Sequence, residues 1–194
     1  MSRPFPPRDI AQRNPSLITI GDATFYRFYR RGREPIYFDR SAEGRFNSPN
    51  RSFGVLYAAK SLTGAFAETF LRDPGRTQLA SDLIAQRSRV DLRSRRQLHL
   101  VQLYGRHLAA LGATAEVVAS SQPYDLPQAW ADALHDHPGE FDGIAYRARH
   151  NDDEISYALF DRTKTAIEEL DRDENLDADW FYELLNHYNM GLVR

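Results

Sequence analysis

The chain has 194 residues, is 42% hydrophobic, and sets 25 Lys and Arg against 27 Asp and Glu for a formal charge of -2. This length and apolar content supply one core, so a single domain is expected over residues 1–194, and near-neutrality leaves no general electrostatic case for nucleic acid or an anionic membrane. The absence of cysteine excludes a disulfide scaffold, a thiolate nucleophile and a cysteine-ligated metal. No apolar run approaches the roughly 18 residues needed to cross a bilayer, and the start lacks a signal-peptide core, which makes the cytoplasm the default compartment.

The opening, to about Asn14, is rich in Pro and Arg and reads as an arm, reaching to residue 20 at most, that packs late or binds a partner. Thr24 to Tyr29 has the aromatic and β-branched content of a strand. A loop of Gly, Pro, Asn and Ser character follows from Gly32 to Gly54, and Val55-Leu56-Tyr57 reads as a second strand. Ser61 is placed to cap a helix running to about Arg72. Its buried stripe is Leu62, Ala65, Phe66, Thr69 and Phe70. Glu68 falls off the stripe, so it faces water or a cleft, and spacing alone does not choose.

Ser88 to Leu92 and Leu98 to Tyr104 read as strands about the basic turn Arg93-Ser94-Arg95-Arg96, with a short helix over Arg106 to Leu111 before Gly112. Leu126 to His135 is a helix with Trp130 and Leu134 on one face. Ile144 to Tyr146 and Ile155 to Phe160 are further strands. The last helix is expected to begin at Asp177 as N-cap and to bury Trp180, Phe181, Leu184, Leu185 and Tyr188. Strands and helices without regular βαβ alternation argue for an α+β fold, with a mixed or antiparallel sheet and flanking helices.

Dinucleotide-fold, P-loop and serine-hydrolase fingerprints are missing. His135-Asp136-His137 could be a metal pair, but beside Pro138-Gly139 it is better read as a solvated loop. His99 and His187 read as structural. What remains is a block of arginines, aromatic residues and one glutamate: Tyr26-Arg27-Phe28, Arg45-Phe46-Asn47, Tyr57, and Glu68. Guanidinium forks suit phosphate oxygens better than a lysine point charge, and aromatic rings suit a heterocycle. Taken singly, the arginines are equally at home on the surface, and the tyrosine and glutamate are better read as a half-buried core residue and an exposed helix residue.

With the segments Phe141 to His150 and Tyr157 to Arg162, this block resembles the RES domain of bacterial Res–Xre toxin–antitoxin pairs, over about Phe25 to Arg162. The resemblance implies a fold related to ADP-ribosyltransferases and cleavage of NAD between nicotinamide and ribose, with ADP-ribose passing to water, to phosphate or in some cases to a protein. It implies Arg27 and Arg45 as NAD-binding arginines, Tyr57 as the ring against nicotinamide, Phe28 as a pocket wall and Glu68 as the catalytic carboxylate. No metal is implied. A helix-turn-helix antitoxin of the Xre kind and a homodimer are. The match breaks at one position: where the family reads Tyr-Arg-Ser-Arg-His, this chain reads Tyr146-Arg147-Ala148-Arg149-His150. The missing serine implies a weakened toxin, or else a module that binds NAD or a partner without turnover. Ser156, on the next strand, is a candidate replacement for the lost hydroxyl.

Overall fold

The computed structural model describes residues 3–193. Along them run β1 (Leu17–Ile20), β2 (Thr24–Arg30), β3 (Val55–Ala59), α1 (Leu62–Phe70), β4 (Gln78–Ala80), α2 (Ser81–Ala85), β5 (Arg87–Ser94), β6 (Leu98–Leu103), α3 (Arg106–Leu111), α4 (Glu116–Ala119), α5 (Asp125–His135), β7 (Gly143–Ala148), β8 (Asn151–Phe160), β9 (Ile167–Asp173), α6 (Asp179–His187) and β10 (Gly191–Val193). Eight strands form one sheet in the order β1-β6-β7-β8-β3-β2-β5-β9. Its single parallel pair is β6 with β7, and a parallel pair needs a long crossover, here α3 to α5. The α+β expectation holds: the sheet is mixed, mostly antiparallel, and flanked by helices.

Alternation along β3 divides the core. Val55 and Tyr57 pack with Trp130, Leu134, Ile144 and Phe160 under α3 to α5, while Ala59 joins Phe66 and Phe70 of α1 and Phe181 and Leu184 of α6. Leu56 and Ala58 point to the opposite face, where Phe25, Val90, Leu100, Ala145 and Leu159 meet with no helical residue among them. The twisted sheet covers that face with its own strands and with Ile36 and Phe38 of the long loop.

Helix α1 is capped as its sequence requires, with Ser61 Oγ accepting from the Gly64 N–H at 2.9 Å, though it ends at Phe70 rather than Arg72. Ser61 and Thr63 also donate to the Glu154 carboxylate on β8, which ties the helix start to the sheet. Helix α6 begins one residue later than its expected Asp177 cap would set, with Ala178 at the N-cap and no side-chain cap bond. Its aromatic stripe packs inward: Trp180 stacks on Phe28 and Tyr188 on Phe66.

The proline-rich opening lies against its own chain, with Trp130 Nε1 donating to the Pro4 carbonyl at 2.7 Å and Arg13 to the Leu111 carbonyl at 2.8 Å. The solvated-loop reading of His135 to His137 is corrected. His137 is buried at 7% exposure, holding the Arg13 carbonyl and the Gly139 N–H, and His135 stacks on Phe53 at 4.0 Å. A turn that carries apolar neighbours on both sides buries its polar rings as hydrogen-bonded spacers.

The entry to β7 depends on one buried carboxylate. Asp142 accepts both arms of the Arg96 guanidinium, at 2.9 and 2.6 Å, and the His99 N–H at 2.9 Å. Asp142→Ala leaves that amide without the carboxylate and the guanidinium with the Gln97 carbonyl alone. We expect a loss of about 2–3 kcal/mol, read as a lowered urea midpoint at unchanged m-value.

Candidate active site

Strand β2 pairs with β5 along all of its length but meets β3 at a single register position, Tyr26 with Ala59. Beyond it the two strands part. The freed edge of β3 is filled piecewise: Val55 exchanges backbone bonds with Asp39, and the Tyr57 carbonyl accepts the Arg27 guanidinium at 2.9 Å. A buried carbonyl must find a donor, and at this seam a side chain supplies it. The parting opens a cleft of about 890 Å³, lined by the expected Arg27, Phe28, Arg45, Tyr57 and Glu68 and also by Tyr146, Arg149, His150 and Ser156.

The remaining capacity of Arg27 is unused. Its Nε is buried with no hydrogen-bond partner among the described residues, and burial, opposed by the charge of Asp39, lowers its pKa to about 10. Phe28, 8% exposed, belongs mainly to the aromatic cluster of α1 and α6.

Tyr57 has a divided role. Its ring lines the cleft, but its hydroxyl donates to Asn47 Oδ1 at 2.9 Å and accepts the Phe46 N–H at 2.8 Å. Burial pushes this phenol far above its ordinary range. Asn47 also donates to Asp39 and to the Ser41 carbonyl, and a Cβ on Gly44 would stand 2.3 Å from Asn47 Oδ1, so the turn closes only around glycine. Phe46 is fully buried, tilted against Tyr146 at 4.9 Å. With Phe46 and Asn47 fixed, Arg45 is aimed at the cleft. Its Nε and Nη1 are buried without partners among the described residues, 5.8 Å separating its guanidinium carbon from the centre of the Tyr146 ring.

Glu68 faces this pair from α1. The apolar stripe of the helix is anchored through Ala65, Phe66 and Phe70, which turns the off-stripe Glu68 to the cleft. Its Oε1 accepts the Arg149 N–H at 2.7 Å. The turn between β7 and β8 thus holds the carboxylate through backbone, an interaction that leaves no trace in side-chain identity.

Ala148 is 2% exposed and does not belong to the lining; the neighbouring Arg149 and His150 do. Ser156 reaches the cleft wall in register with Tyr146, with its hydroxyl buried beside the Tyr146 phenol. Among the described residues no three His, Asp or Glu side chains gather as a metal site.

The geometry defines a class: an α+β domain whose sheet parts to form an arginine-rich cleft with the Glu68 carboxylate held in it. The RES domain model matches residues 24–180, and the chain belongs to that family. It is similar in fold to a chain of the crystal structure of the M. tuberculosis MbcT-MbcA toxin-antitoxin complex, with a TM-score of 0.70 and 16% identity over 93% of this chain and 98% of that one. No curated protein matches it.

His150 reports on the cleft. Burial lowers its pKa below the usual 6.5, while the charge of Glu68 raises it and Arg149, Arg45 and Arg72 lower it further. Its folded pKa being depressed, the neutral ring contributes stability above pH 6.5 that is lost as pH falls through the folded value. We expect an NMR titration midpoint below 6.5 for His150, and a still lower one in Glu68→Gln, because the opposing charge of Glu68 is gone.

Proposed function

We propose that the chain is the toxin of a toxin–antitoxin pair and that its cleft cleaves NAD between nicotinamide and ribose. The observation that carries this reading is the oriented Glu68 carboxylate facing buried arginine nitrogens that have no partners among the described residues. Such groups are costly to bury, and a ligand with phosphates supplies what they lack. In this reading Arg27 and Arg45 hold the pyrophosphate and Tyr57 sets its ring against nicotinamide. The bond from ribose C1′ to the pyridinium nitrogen breaks, its electron pair leaves with nicotinamide as a neutral base, and the acceptor oxygen bonds to C1′ and gives up its proton. No acid is needed for the leaving group, so the barrier is the oxocarbenium-like ribose. Glu68 stabilises that charge, and matching a charge that develops in the transition state is usually the largest single term in catalysis.

Ala148 weakens the site without emptying it. Position 148 immediately precedes the amide that holds Glu68, so a serine there would act on the carboxylate's support rather than on the substrate. Ser156, whose hydroxyl is buried in the wall beside the Tyr146 phenol, is the group we assign to the ribose in its place. An antitoxin of the helix-turn-helix kind would silence the cleft by presenting carboxylates to Arg27 and Arg45. The toxin–antitoxin origin of the solved chain of like fold supports that partnership.

Nicotinamide release from NAD by the purified chain, with and without phosphate, is the test. We expect release from the chain as given, a rise of up to about tenfold in Ala148→Ser, and a loss of about 10²–10³-fold in Glu68→Gln. Phosphate dependence would name the acceptor, and label from NAD retained on a protein band would name a transferase. NAD binding without release from any of these forms overturns the catalytic reading. A second expectation concerns Tyr57→Phe. It removes the hydroxyl that holds Phe46 and Asn47, so it should raise the KM for NAD through a loosened Arg45 more than it lowers kcat.

A further inference from the structure

The outer end of the cleft carries a second group of arginines. Arg30 and Arg87 are direct cross-strand neighbours on β2 and β5, and like charges placed opposite each other destabilise a sheet. Arg72 joins them from the end of α1, where its Nε donates to the Glu68 carbonyl at 2.8 Å. All three line the cleft. Arg87 Nε is buried without a hydrogen-bond partner among the described residues.

Strand β5 supplies its own comparison. Farther along it, Arg89 pairs with Asp91 and Asp171 and Arg93 with Glu168. At the cleft end, no ion pair involves Arg30, Arg72 or Arg87 among the described residues. Burial, then the charges of Arg72 and Arg30, lower the pKa of Arg87, with no carboxylate offsetting them. Three arginines brought to one end of the cleft with no carboxylate paired to them among the described residues suit an anion, since guanidinium forks match phosphate oxygens.

We propose that Arg30, Arg72 and Arg87 form a phosphate subsite, separate from Arg27 and Arg45, at the outer end of the cleft. Arg72, two residues past the end of α1, donates to the Glu68 carbonyl, and Arg30 follows Arg27 by about 10 Å of strand. A phosphate held there lies within reach of chemistry at Glu68. Its source is either free inorganic phosphate or a phosphate of the bound dinucleotide. The choice between these sources rests on the NAD reading; the anion site does not.

The test is the thermal midpoint of the full chain titrated with sodium phosphate at constant ionic strength, against chloride. Phosphate is expected to raise the midpoint with a saturable dependence, and Arg87→Gln to weaken the apparent affinity at least tenfold. Arg72→Gln changes an exposed side chain and so keeps the test open if Arg87→Gln does not fold; it is expected to weaken affinity at least threefold. Arg95→Gln, which removes the same charge from an arginine paired with Glu168, should leave the phosphate response within twofold. No saturable response in the unchanged chain, or an equal response in Arg87→Gln and Arg72→Gln, overturns the proposal, as does an equal loss in Arg95→Gln, which would mark a general charge effect. Adding NAD separates the sources: additive shifts identify a site for free phosphate, and displacement of phosphate by NAD identifies a site for the dinucleotide. A phosphate response in a chain that neither binds nor cleaves NAD would sustain the subsite and sink the NAD reading.

Discussion

The parting of β2 from β3 is the constraint on which the rest of this molecule depends. A continuous ladder there would satisfy the backbone and leave no cleft. Meeting at Tyr26 and Ala59 alone, the strands require replacements: Asp39 for Val55 and the guanidinium of Arg27 for Tyr57. The same arginine thereby closes a gap in the sheet and brings a cation into the opening that the gap creates. Its charged form is disfavoured by burial, and the structure tolerates this because the Tyr57 carbonyl and the charge of Asp39 compensate in part.

Most buried polar groups without hydrogen-bond partners among the described residues lie where the sheet is open. Nitrogens of Arg27, Arg45 and Arg87 belong to the cleft; outside it, Arg89 Nε and Asp91 Oδ1 form an ion pair and the Ser88 hydroxyl lies beside the Tyr29 phenol, while Asp142, Asn47 and His137, buried elsewhere, are fully engaged. Buried polar atoms are ordinarily satisfied, so the pattern separates groups that hold the fold from groups that await a ligand. Gly44 belongs with the former. It lets the turn close tightly enough for the Tyr57 hydroxyl to reach Phe46 and Asn47, and the position of Arg45 follows.

Elements with a strong apolar period were legible in the sequence. Helix α1 with its Ser61 cap, the short α3, α5 around Trp130 and the stripe of α6 all follow from spacing. The edge strand β9 was not, because Ile167–Asp173 is mostly acidic and exposed; it is held to β5 by backbone pairing and by carboxylates opposite arginines, a logic that hydrophobic alternation does not register. Strands β1, β4 and β10 are three or four residues long, too short for a period to establish itself. Within the cleft, residue types alone left Arg27, Arg45, Tyr57 and Glu68 open and the resemblance pointed to them; all four line the opening. The hold on Glu68 by a backbone amide, the engagement of the Tyr57 hydroxyl and the place of Ala148 behind the lining depend on tertiary geometry. The meeting of Arg30, Arg72 and Arg87 depends on the register of β2 with β5 and on where α1 stops.

The order of the strands also sets a time at which the cleft first exists during synthesis. Arg27, Arg45 and Glu68 have all been made by residue 68, but β3 acquires its neighbour only with β8, and Glu68 its amide only with Arg149. The strand β5 that supports β2 is in turn bordered by β9, which follows β8. A nascent or prematurely ended polypeptide therefore holds the chemically telling side chains without the framework that aims them. The site forms only once β8 and the turn before it have been made, long after its own arginines and carboxylate.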